Sequence, residues 1–448
     1  MSGVVSFVDE GLGNSSYLVD LGEGRALVLD PTRDPSPYLA AAERAGAVVA
    51  YAVETHLHAD FVSGSRELAA QGATVLAAAA GGTEFAHRGL GDGDEVDLGG
   101  LTLRALGTPG HTPEHLSYLL LDGDRPQALF SGGSLLVGAV ARTDLIAADR
   151  TEELARSLFR SLHERILSLP DDLVVYPTHG AGSFCSAPAG AERTTTIGRE
   201  KRANPLLAAP DEDSFVKLLL DGLGSYPPYF LRLRAVNRRG PVIYGRVAPQ
   251  LARLDVGALR RLVAAGAAVV DARPIEAFAA GHIPGSLSIA LRDQFATWLG
   301  WLIETDRPIV FVLEEDQDRA DLVRQARKVG YENLAGELGG GIGAWGAAGL
   351  PLRRIALVSA KKVTGPVIDV RQHAEFVAGH LPGALHVELG SLADAQLDRA
   401  PRTLMCGHGE RAMTAASILE ARGRVEPTVV VGGPTDWADS GRRLETGP

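Results

Sequence analysis

The second half of the chain contains an internal repeat, and this feature limits the possible folds more than any other. The segment AVVDARPIEAFAAGHIPGSLSIAL (268–291) matches PVIDVRQHAEFVAGHLPGALHVEL (366–389). Further along, residues 309–320 align with 402–412, and GGGIGAW aligns with VGGPTDW. A pattern that returns after roughly a hundred residues indicates two homologous modules, each large enough to bury a core of its own. The second half is therefore expected to be a tandem of similar α/β domains.

The length of 448 residues fits two or three domains. We predict a first domain over residues 1–245, a second over 246–354 and a third over 355–448. The formal net charge of −11 disfavours a nucleic-acid partner. The N-terminus lacks a basic and apolar leader, and no run approaches the ~18 apolar residues that cross a bilayer. We expect a cytoplasmic protein with no membrane partner.

Short strands and turn residues alternate through the first half. Residues 16–22 and 25–31 are predicted to form a hairpin, and residues 36–46 a helix that ends at a glycine. The apolar run 47–55 fits a buried strand. Two more predicted strands follow at residues 101–107 and 172–177. The regular order indicates a layered α/β domain.

Histidines follow three of these strands. The stretch VETHLHADFVSG carries His56, His58 and Asp60 after the first strand, and His111 and His179 follow the other two. Imidazole binds divalent transition metals well, and a carboxylate adds charge to the site. Loops at strand ends commonly carry function. This order of residues predicts a metal site.

The motifs THLHAD, GTPGHTPEHLSY, LFSGGSLLVGAVARTDL and YPTHGAGS resemble the metallo-β-lactamase fold, and most of all its glyoxalase II and persulfide dioxygenase branch. The resemblance implies an αββα sandwich with a site along one edge of its two sheets. Glyoxalase II-like members hydrolyse a glutathione thioester at a binuclear site. Persulfide dioxygenases bind one Fe(II) through two histidines and one aspartate, and oxidise glutathione persulfide to sulfite.

The chain departs from the family pattern at two positions. Phe61 stands where the family has a further histidine, which argues against a binuclear hydrolase. Gly133 stands where the family has its metal-binding aspartate, and glycine has no side chain that could bind. The resemblance leaves two alternatives open: a functional site with other ligands, or a degenerate site that binds metal weakly or not at all.

For the functional alternative we predict one divalent ion, Fe(II) or Zn, with Asp60 or water completing a set of three histidines, His56, His58 and His111. Because Phe61 and Gly133 remove ligands of the second metal, His179 is interpreted as a polar bystander. His115 is interpreted as a supporting residue.

Cys406 follows an apolar strand and precedes a helical stretch. The glycines of its loop allow backbone N–H groups to turn toward one point at a helix N-terminus, which forms a cradle for anions. The positive potential of this cradle and of Arg411 favours the thiolate, which is the nucleophilic form of cysteine. We predict Cys406 and Arg411 as catalytic residues. The predicted substrate-binding positions are Gly407, His408, Gly409 and Glu410.

This module resembles the rhodanese domain, whose loop carries a persulfide on its cysteine, and a six-residue loop suits a sulfur substrate. The middle module looks like a rhodanese that has lost its chemistry, because Glu314 takes the place of Cys406 among acidic neighbours. It is interpreted as a structural or docking module. The second cysteine, Cys185, is interpreted as an ordinary buried residue, with a relay thiol as the alternative.

The whole chain resembles a fusion of a metallo-β-lactamase domain with two rhodanese domains in persulfide metabolism. We expect oxidation of a glutathione persulfide or another low-molecular-weight persulfide, coupled to sulfur transfer through Cys406 with thiosulfate and sulfite. The resemblance also allows a homodimer. The alternatives are a sulfurtransferase with a non-catalytic first domain, which Gly133 favours, a thioester hydrolase, which Phe61 and Gly133 disfavour, and a non-enzymatic thiol sensor.

Overall fold

The computed structural model describes residues 3–185, 192–245, 250–397, 402–423 and 426–447. The chain divides into two compact units, Met1–Ala248 with Arg327–Gly330, and Pro249–Ala326 with Tyr331–Pro448. Among the described residues, no helix has the length and apolar character needed to cross a membrane.

Two mixed sheets of six strands each form the centre of the first unit. The first sheet has the order β1-β2-β3-β4-β5-β6, with strands at Val4–Asp9 (β1), Asn14–Gly22 (β2), Arg25–Leu29 (β3), Val48–Val53 (β4), Thr74–Ala78 (β5) and Arg88–Leu90 (β6). The second has the order β12-β11-β10-β9-β8-β7, with strands at Glu95–Asp97 (β7), Thr102–Gly107 (β8), Leu116–Asp122 (β9), Arg125–Gly132 (β10), Val174–Pro177 (β11) and Thr195–Thr196 (β12).

Helices cover the outer faces of both sheets. They are Ser36–Arg44 (α1), Ser65–Ala69 (α2), Thr151–Arg160 (α3), Ile197–Ala203 (α4), Glu212–Asp221 (α5) and Phe230–Arg239 (α6), with a π-helical extension of α3 over Ser161–Ile166 and short 3-10 turns at Ala79–Gly81 and Ala148–Arg150. Strand alternation explains the layers. On β9, Tyr118 and Leu120 pack between the sheets, whereas Leu119 and Leu121 pack against α3 and α5. The expected αββα sandwich is confirmed.

The predicted local elements of the first unit are also present. The hairpin is β2 paired antiparallel with β3, the predicted helix is α1, and the apolar run forms β4. The strand ends place the candidate residues at one edge of the sandwich. His56 follows β4, His111 lies between β8 and β9, Gly133 follows β10, and His179 follows β11.

The second unit contains two parallel sheets of five strands with the same topology. The first has the order β13-β17-β16-β14-β15, with strands Arg253–Leu254 (β13), Ala268–Asp271 (β14), Leu287–Ser288 (β15), Ile309–Val312 (β16) and Leu334–Leu338 (β17). Its helices are Val256–Ala264 (α7), Ile275–Ala280 (α8), Phe295–Leu302 (α9), Arg319–Lys328 (α10) and Gly341–Ala347 (α11).

The second sheet has the order β18-β22-β21-β19-β20, with strands Ala356–Ser359 (β18), Val367–Asp369 (β19), Leu385–His386 (β20), Thr403–Met405 (β21) and Thr428–Val431 (β22). Its helices are His373–Ala378 (α12), Glu410–Ala421 (α13) and Pro434–Ala438 (α14), with 3-10 turns at Ala360–Lys362 and Leu389–Ser391. The predicted tandem of α/β modules is confirmed. The predicted boundary between residues 245 and 246 falls on 246–249, which lie outside the described residues, and the boundary at 354–355 stays a prediction.

Candidate metal centre and cysteine loop

Three buried histidines meet at the edge of the sandwich. His56, His111 and His179 each offer one ring nitrogen, and these three atoms lie within 4.8 Å of one another. The rings stand steeply to one another, at 77° between His56 and His111 and at 72° between His111 and His179. Such an arrangement lets all three lone pairs aim at one point.

Hydrogen bonds fix the proton of His56 on the nitrogen that faces away from this point. Its Nδ1 lies 2.9 Å from the Thr55 hydroxyl oxygen, and that hydroxyl donates its own hydrogen to Asp30 at 2.8 Å. The Thr55 oxygen must therefore accept from Nδ1–H. The Nε2 of His56 keeps its lone pair and has no hydrogen-bond partner among the described residues.

The same reasoning applies to the other two rings. The Nδ1 of His111 lies 2.7 Å from the carbonyl oxygen of Arg142, which can only accept. The Nδ1 of His179 lies 3.1 Å from Oδ1 of Asn14, whose amide nitrogen donates to Asp60 at 2.7 Å and so fixes the orientation of the amide. Both histidines therefore present Nε2 as an acceptor, and the Nε2 of His179 has no hydrogen-bond partner in the described structure.

This donor set fits a divalent transition metal. Burial, followed by the neighbouring His58 and His111, lowers the pKa of His56 well below its ordinary value. Burial and then His179 lower the pKa of His111 to about 3. Metal-binding histidines are neutral and donate their second ring N–H to an oxygen atom, which sets the tautomer and the ring orientation. The two unpartnered Nε2 atoms are buried polar atoms that a metal would satisfy.

His58 has different partners from those predicted. Its Nε2 lies 3.2 Å from a carboxylate oxygen of Asp30 and 3.2 Å from one of Glu54. Burial alone would lower the pKa of His58, but the charge of Asp30 and the close contacts with both acids raise it to about 10. A charged imidazolium has no lone pair for a metal. Within the described residues, no cluster with candidate ligand atoms within 4.8 Å contains His56, His58 and His111 together.

Asp60 lies next to His179 rather than between His56 and His111. One carboxylate oxygen accepts from Asn14 at 2.7 Å and lies 3.4 Å from Nδ1 of His179. Burial would raise the pKa of Asp60, but the neighbouring His179, followed by His58 and the amide of Asn14, lowers it below the ordinary value. His58, Asp60 and His179 form a second cluster of candidate ligands that overlaps the first at His179.

His115 and Cys185 lie near the candidate ligands, but His115 offers no free ring nitrogen and Cys185 no thiolate. His115 accepts the backbone N–H of Gly133 at 2.9 Å and contacts Thr108 at 2.8 Å, which fits its supporting role. Cys185 is fully buried, and burial followed by the Asp60 carboxylate raises the pKa of its thiol well above the ordinary value. The Cys185 thiol therefore lacks the thiolate character of a reactive cysteine.

The cysteine loop has the geometry that the sequence predicts. Cys406 follows β21, and its buried sulfur accepts the backbone N–H of Gly409 at 3.1 Å, one turn before α13 begins. Gly409 has φ +131°, and a side chain there would meet Ile275 of the preceding module at 2.8 Å. Glycine is therefore required by both conformation and space.

The remaining predicted residues of the loop differ in exposure. Gly407 and Glu410 are half-buried, and His408 is exposed. Arg411 donates to both carboxylate oxygens of Glu375, at 2.6 and 2.7 Å, which holds a fixed cation beside the loop. The structure brings these residues together around Cys406, and their roles in binding and catalysis stay predictions.

Comparisons with known proteins identify the three domains. The family model for the metallo-beta-lactamase superfamily matches residues 9–179, and the model for the rhodanese-like domain matches residues 255–348 and 355–440. The human protein named persulfide dioxygenase ETHE1, mitochondrial, is 32% identical over 209 residues, which cover 46% of this chain and 75% of that protein. The mouse protein of the same name is 29% identical over the same length.

The chain belongs to the metallo-beta-lactamase superfamily. It also carries two rhodanese-like domains. A crystal structure of a metallo-beta-lactamase from Staphylococcus aureus is similar, with 30% sequence identity, a TM-score of 0.66, and coverage of 75% of this chain and 98% of that chain. The fold class and the resemblance inferred from the sequence are thus confirmed.

The sequence does not identify His179 as a member of this cluster of candidate ligands. Its position at the end of a third strand, level with the other histidine loops, was the available signal. Phe61 stacks on His58 with ring centres 4.3 Å apart and stands where the family has a ligand of the second metal. This loss led to the interpretation of His179 as a bystander. The structure instead places one ring nitrogen of His179 within 4.8 Å of ring nitrogens of His56 and His111.

Proposed function

We propose that this chain is an enzyme of sulfur metabolism with two centres. The first oxidises the outer sulfur of a low-molecular-weight persulfide, such as glutathione persulfide. The second carries a sulfane sulfur on Cys406. The observation that carries the proposal is the cluster of three buried histidines, two of them with unpartnered Nε2 atoms, in a domain similar to a persulfide dioxygenase, followed in the same chain by a cysteine in a rhodanese loop.

His56 and His111 would hold one divalent metal, with Fe(II) the choice for oxygen chemistry and Zn the alternative. When bound, Fe(II) would supply positions for an anionic sulfur ligand and for O2. The net reaction is RSSH + O2 + H2O giving RSH + SO3²⁻ + 2 H⁺. Thr55 and the carbonyl of Arg142 fix the tautomers of the two histidines and so their orientation.

The surrounding residues determine the charge of the site. His58 is held as a cation between Asp30 and Glu54, which keeps it from competing as a ligand. Asp60, oriented by Asn14, is a buried carboxylate beside His179 and helps to hold the proton of that ring on Nδ1. The burial of the whole cluster excludes bulk water from a reactive sulfur species.

The second centre transfers sulfur by exchange at one thiolate. The Cys406 thiolate attacks the outer sulfur of thiosulfate, the S–S bond breaks, and sulfite leaves with the electron pair, which gives Cys406–S–S⁻. The reverse step passes the sulfane sulfur to sulfite. Backbone N–H groups of the loop and the guanidinium of Arg411 would stabilise the anion. Sulfite from the first centre is thus an acceptor for the second.

A second candidate function is sulfur transfer alone. The observation that favours it is Gly133, because the carboxylate ligand of the superfamily is absent and the cysteine loop needs no metal. Thioester hydrolysis has less support, since Phe61 replaces one ligand of the second metal and Gly133 stands in place of the metal-binding aspartate. A homodimer and a cytoplasmic location stay predictions.

The experiment is O2 uptake by the Fe(II)-loaded full chain on addition of glutathione persulfide, with sulfite measured in parallel. We expect uptake in the wild type and in Cys406→Ser, and its loss in His111→Ala. His163→Ala is the matched control, because His163 is exposed and lies outside the cluster. Absence of uptake in the wild type, with sulfur transfer through Cys406 intact, would establish the sulfurtransferase-only alternative.

A further inference from the structure

The position of Gly133 is filled by the ring of a neighbouring histidine. A Cβ atom added at Gly133 would lie 2.5 Å from Cδ2 and 2.9 Å from Cγ of His111, and 3.3 Å from Cβ of Ala141. Non-bonded carbon atoms are stable at about 3.5–4.0 Å, so the first two distances are severe overlaps. Gly133 does not have the positive φ that favours glycine. The reason for glycine here is space.

The ring of His111 has little freedom to move away. Its Nδ1–H donates to the carbonyl oxygen of Arg142 at 2.7 Å. The Arg142 side chain is itself fixed by two hydrogen bonds to Asp144, at 2.7 and 2.8 Å, and by one to the carbonyl of Phe184 at 2.9 Å. A carboxylate at position 133 would therefore displace a ligand rather than add one.

His179 offers a nitrogen where the carboxylate is missing. Its Nε2 is buried and unpartnered among the described residues, and one of its ring nitrogens lies within 4.8 Å of the candidate ligand atoms of His56 and His111. Two acceptors, Asn14 at 3.1 Å and Asp60 at 3.4 Å, hold the proton on Nδ1. Its orientation is thus set by contacts of the kind that orient metal-binding histidines.

We propose that Gly133 and His179 act as a linked pair: the missing side chain at 133 admits the His111 ring, and His179 supplies the third nitrogen ligand to one divalent transition metal. This inference rests on the metal centre of the proposed function and specifies its ligands. The centre then has three neutral ligands in place of two histidines and an aspartate. Without a ligand carboxylate the ion keeps its full 2+ charge, which favours an anionic ligand such as a persulfide.

The test is Co(II) binding to the full chain, measured by competition with a chromophoric chelator and by the ligand-field absorption of the bound ion. We expect His179→Ala to weaken binding about 100-fold and to change the absorption spectrum. Gly133→Ala should weaken binding at least about tenfold, in line with the usual cost of disturbing ligand orientation. Gly133→Asp should bind no better than Gly133→Ala.

Gly81→Ala is the matched control. It adds the same methyl group at another buried glycine of the first unit, where the nearest atom would be 3.5 Å away, and binding should equal that of the wild type. Thermal unfolding of the metal-free proteins separates folding from affinity. If Gly133→Ala yields no folded protein, that result supports the close contact with His111, and His179→Ala decides the ligand role.

Two results would overturn the inference. One is His179→Ala with unchanged Co(II) affinity and spectrum. The other is Gly133→Asp that binds Co(II) as tightly as the wild type or more tightly, which would mean that the centre is the ordinary site of the superfamily lacking one ligand. Oxygen uptake separates the two proposals: a wild type that binds Co(II) through His179 but consumes no O2 retains the ligand pair and loses the dioxygenase function.

Discussion

The two rhodanese-like modules share one scaffold and differ in one loop. In both modules an arginine donates a hydrogen bond at 2.7 Å to the aspartate two positions before it. The same arginine also donates to the backbone carbonyl of the glycine eight positions after it, at 2.9 Å in the first module and 2.7 Å in the second. These residues are Asp271, Arg273 and Gly281 in the first module, and Asp369, Arg371 and Gly379 in the second. A histidine also stacks on a phenylalanine in both modules, with ring centres 3.8 Å apart.

The loops that follow β16 and β21 differ in the side chains that occupy them. In the second module the buried sulfur of Cys406 accepts the N–H of Gly409 at 3.1 Å. In the first, the side chain of Gln317 fills the loop, accepting the N–H of Glu314 at 2.8 Å and donating to the carbonyl of Ala272 at 2.8 Å. Arg319 donates to two loop carbonyls, at 2.9 and 2.6 Å, so these groups are already satisfied.

The two loops also differ in length. The N–H of Ala272 donates to the carbonyl of Val312, as the equivalent N–H of Val370 donates to that of Met405. When positions are counted forward from the end of the strand, Leu313 is therefore equivalent to Cys406. Glu314 is equivalent to Cys406 only when positions are counted back from Arg319 and Arg411. The first module has one more residue in its loop. The two modules share their scaffold although only the second has a cysteine in its loop, since the shared contacts lie outside the loop.

The largest effect is expected from removing the thiol. Cys406→Ser should lower thiosulfate sulfurtransferase activity by about a thousandfold or more, because the hydroxyl cannot form a persulfide. The protein-bound persulfide, detected by mass spectrometry, should disappear with the activity. Glu314→Gln in the other loop is the control and should leave transfer unchanged. Transfer that persists in Cys406→Ser would place the sulfur on Cys185.

The shared scaffold predicts equal damage in both modules when its buried ion pair is broken. Arg273→Ala and Arg371→Ala each leave a buried carboxylate unpaired, which costs about 3–5 kcal/mol. Hydrogen exchange with mass spectrometry reports each module separately and should show lost protection in the module that carries the change. If only one of the two variants loses protection, the ion pair contributes unequally to the stability of the two modules despite its equal geometry.

A smaller effect is expected at the arginine of the active loop. Glu375→Gln should lower sulfur transfer about tenfold, because Arg411 loses the charge that holds it beside Cys406. The stability should change by less than about 1 kcal/mol, since the Glu375 side chain is 41% exposed and screened by solvent. Glu337→Gln, which removes the partner of Arg319, is the matched control and should not affect transfer.

The smallest effect is expected from opening the first loop. Gln317→Gly removes two hydrogen bonds, each worth about 1 kcal/mol at most, and should raise hydrogen exchange only in residues 313–319. No sulfur transfer should be gained, because the loop contains no thiol. Widespread loss of protection in this variant would show that Gln317 supports the module as well as filling its loop.

The sequence predicted most of the scaffold and part of the site. The repeat predicted two modules of one topology, and strand periodicity predicted where His56, His111 and Cys406 would lie. It did not show that His58 would be held by Asp30 and Glu54, or that the first loop is longer by one residue. Matching the two motifs aligned residues of similar type. The difference in loop length becomes clear only when positions are counted from the hydrogen bonds at the end of each strand.

The sequence by itself determined the fold family, through motifs that resemble a known family. It also determined the order of the histidine-bearing loops and the cysteine at a helix N-terminus, because these follow from local periodicity and spacing. Only the tertiary structure decided which side chains lie close enough together to hold one ion. Asn14 orients His179 across 165 residues, and Thr178 donates to Asp30 across 148. Such contacts depend on how strands from distant parts of the chain meet at one edge, which also decides that the ring of His111 occupies the space beside Gly133.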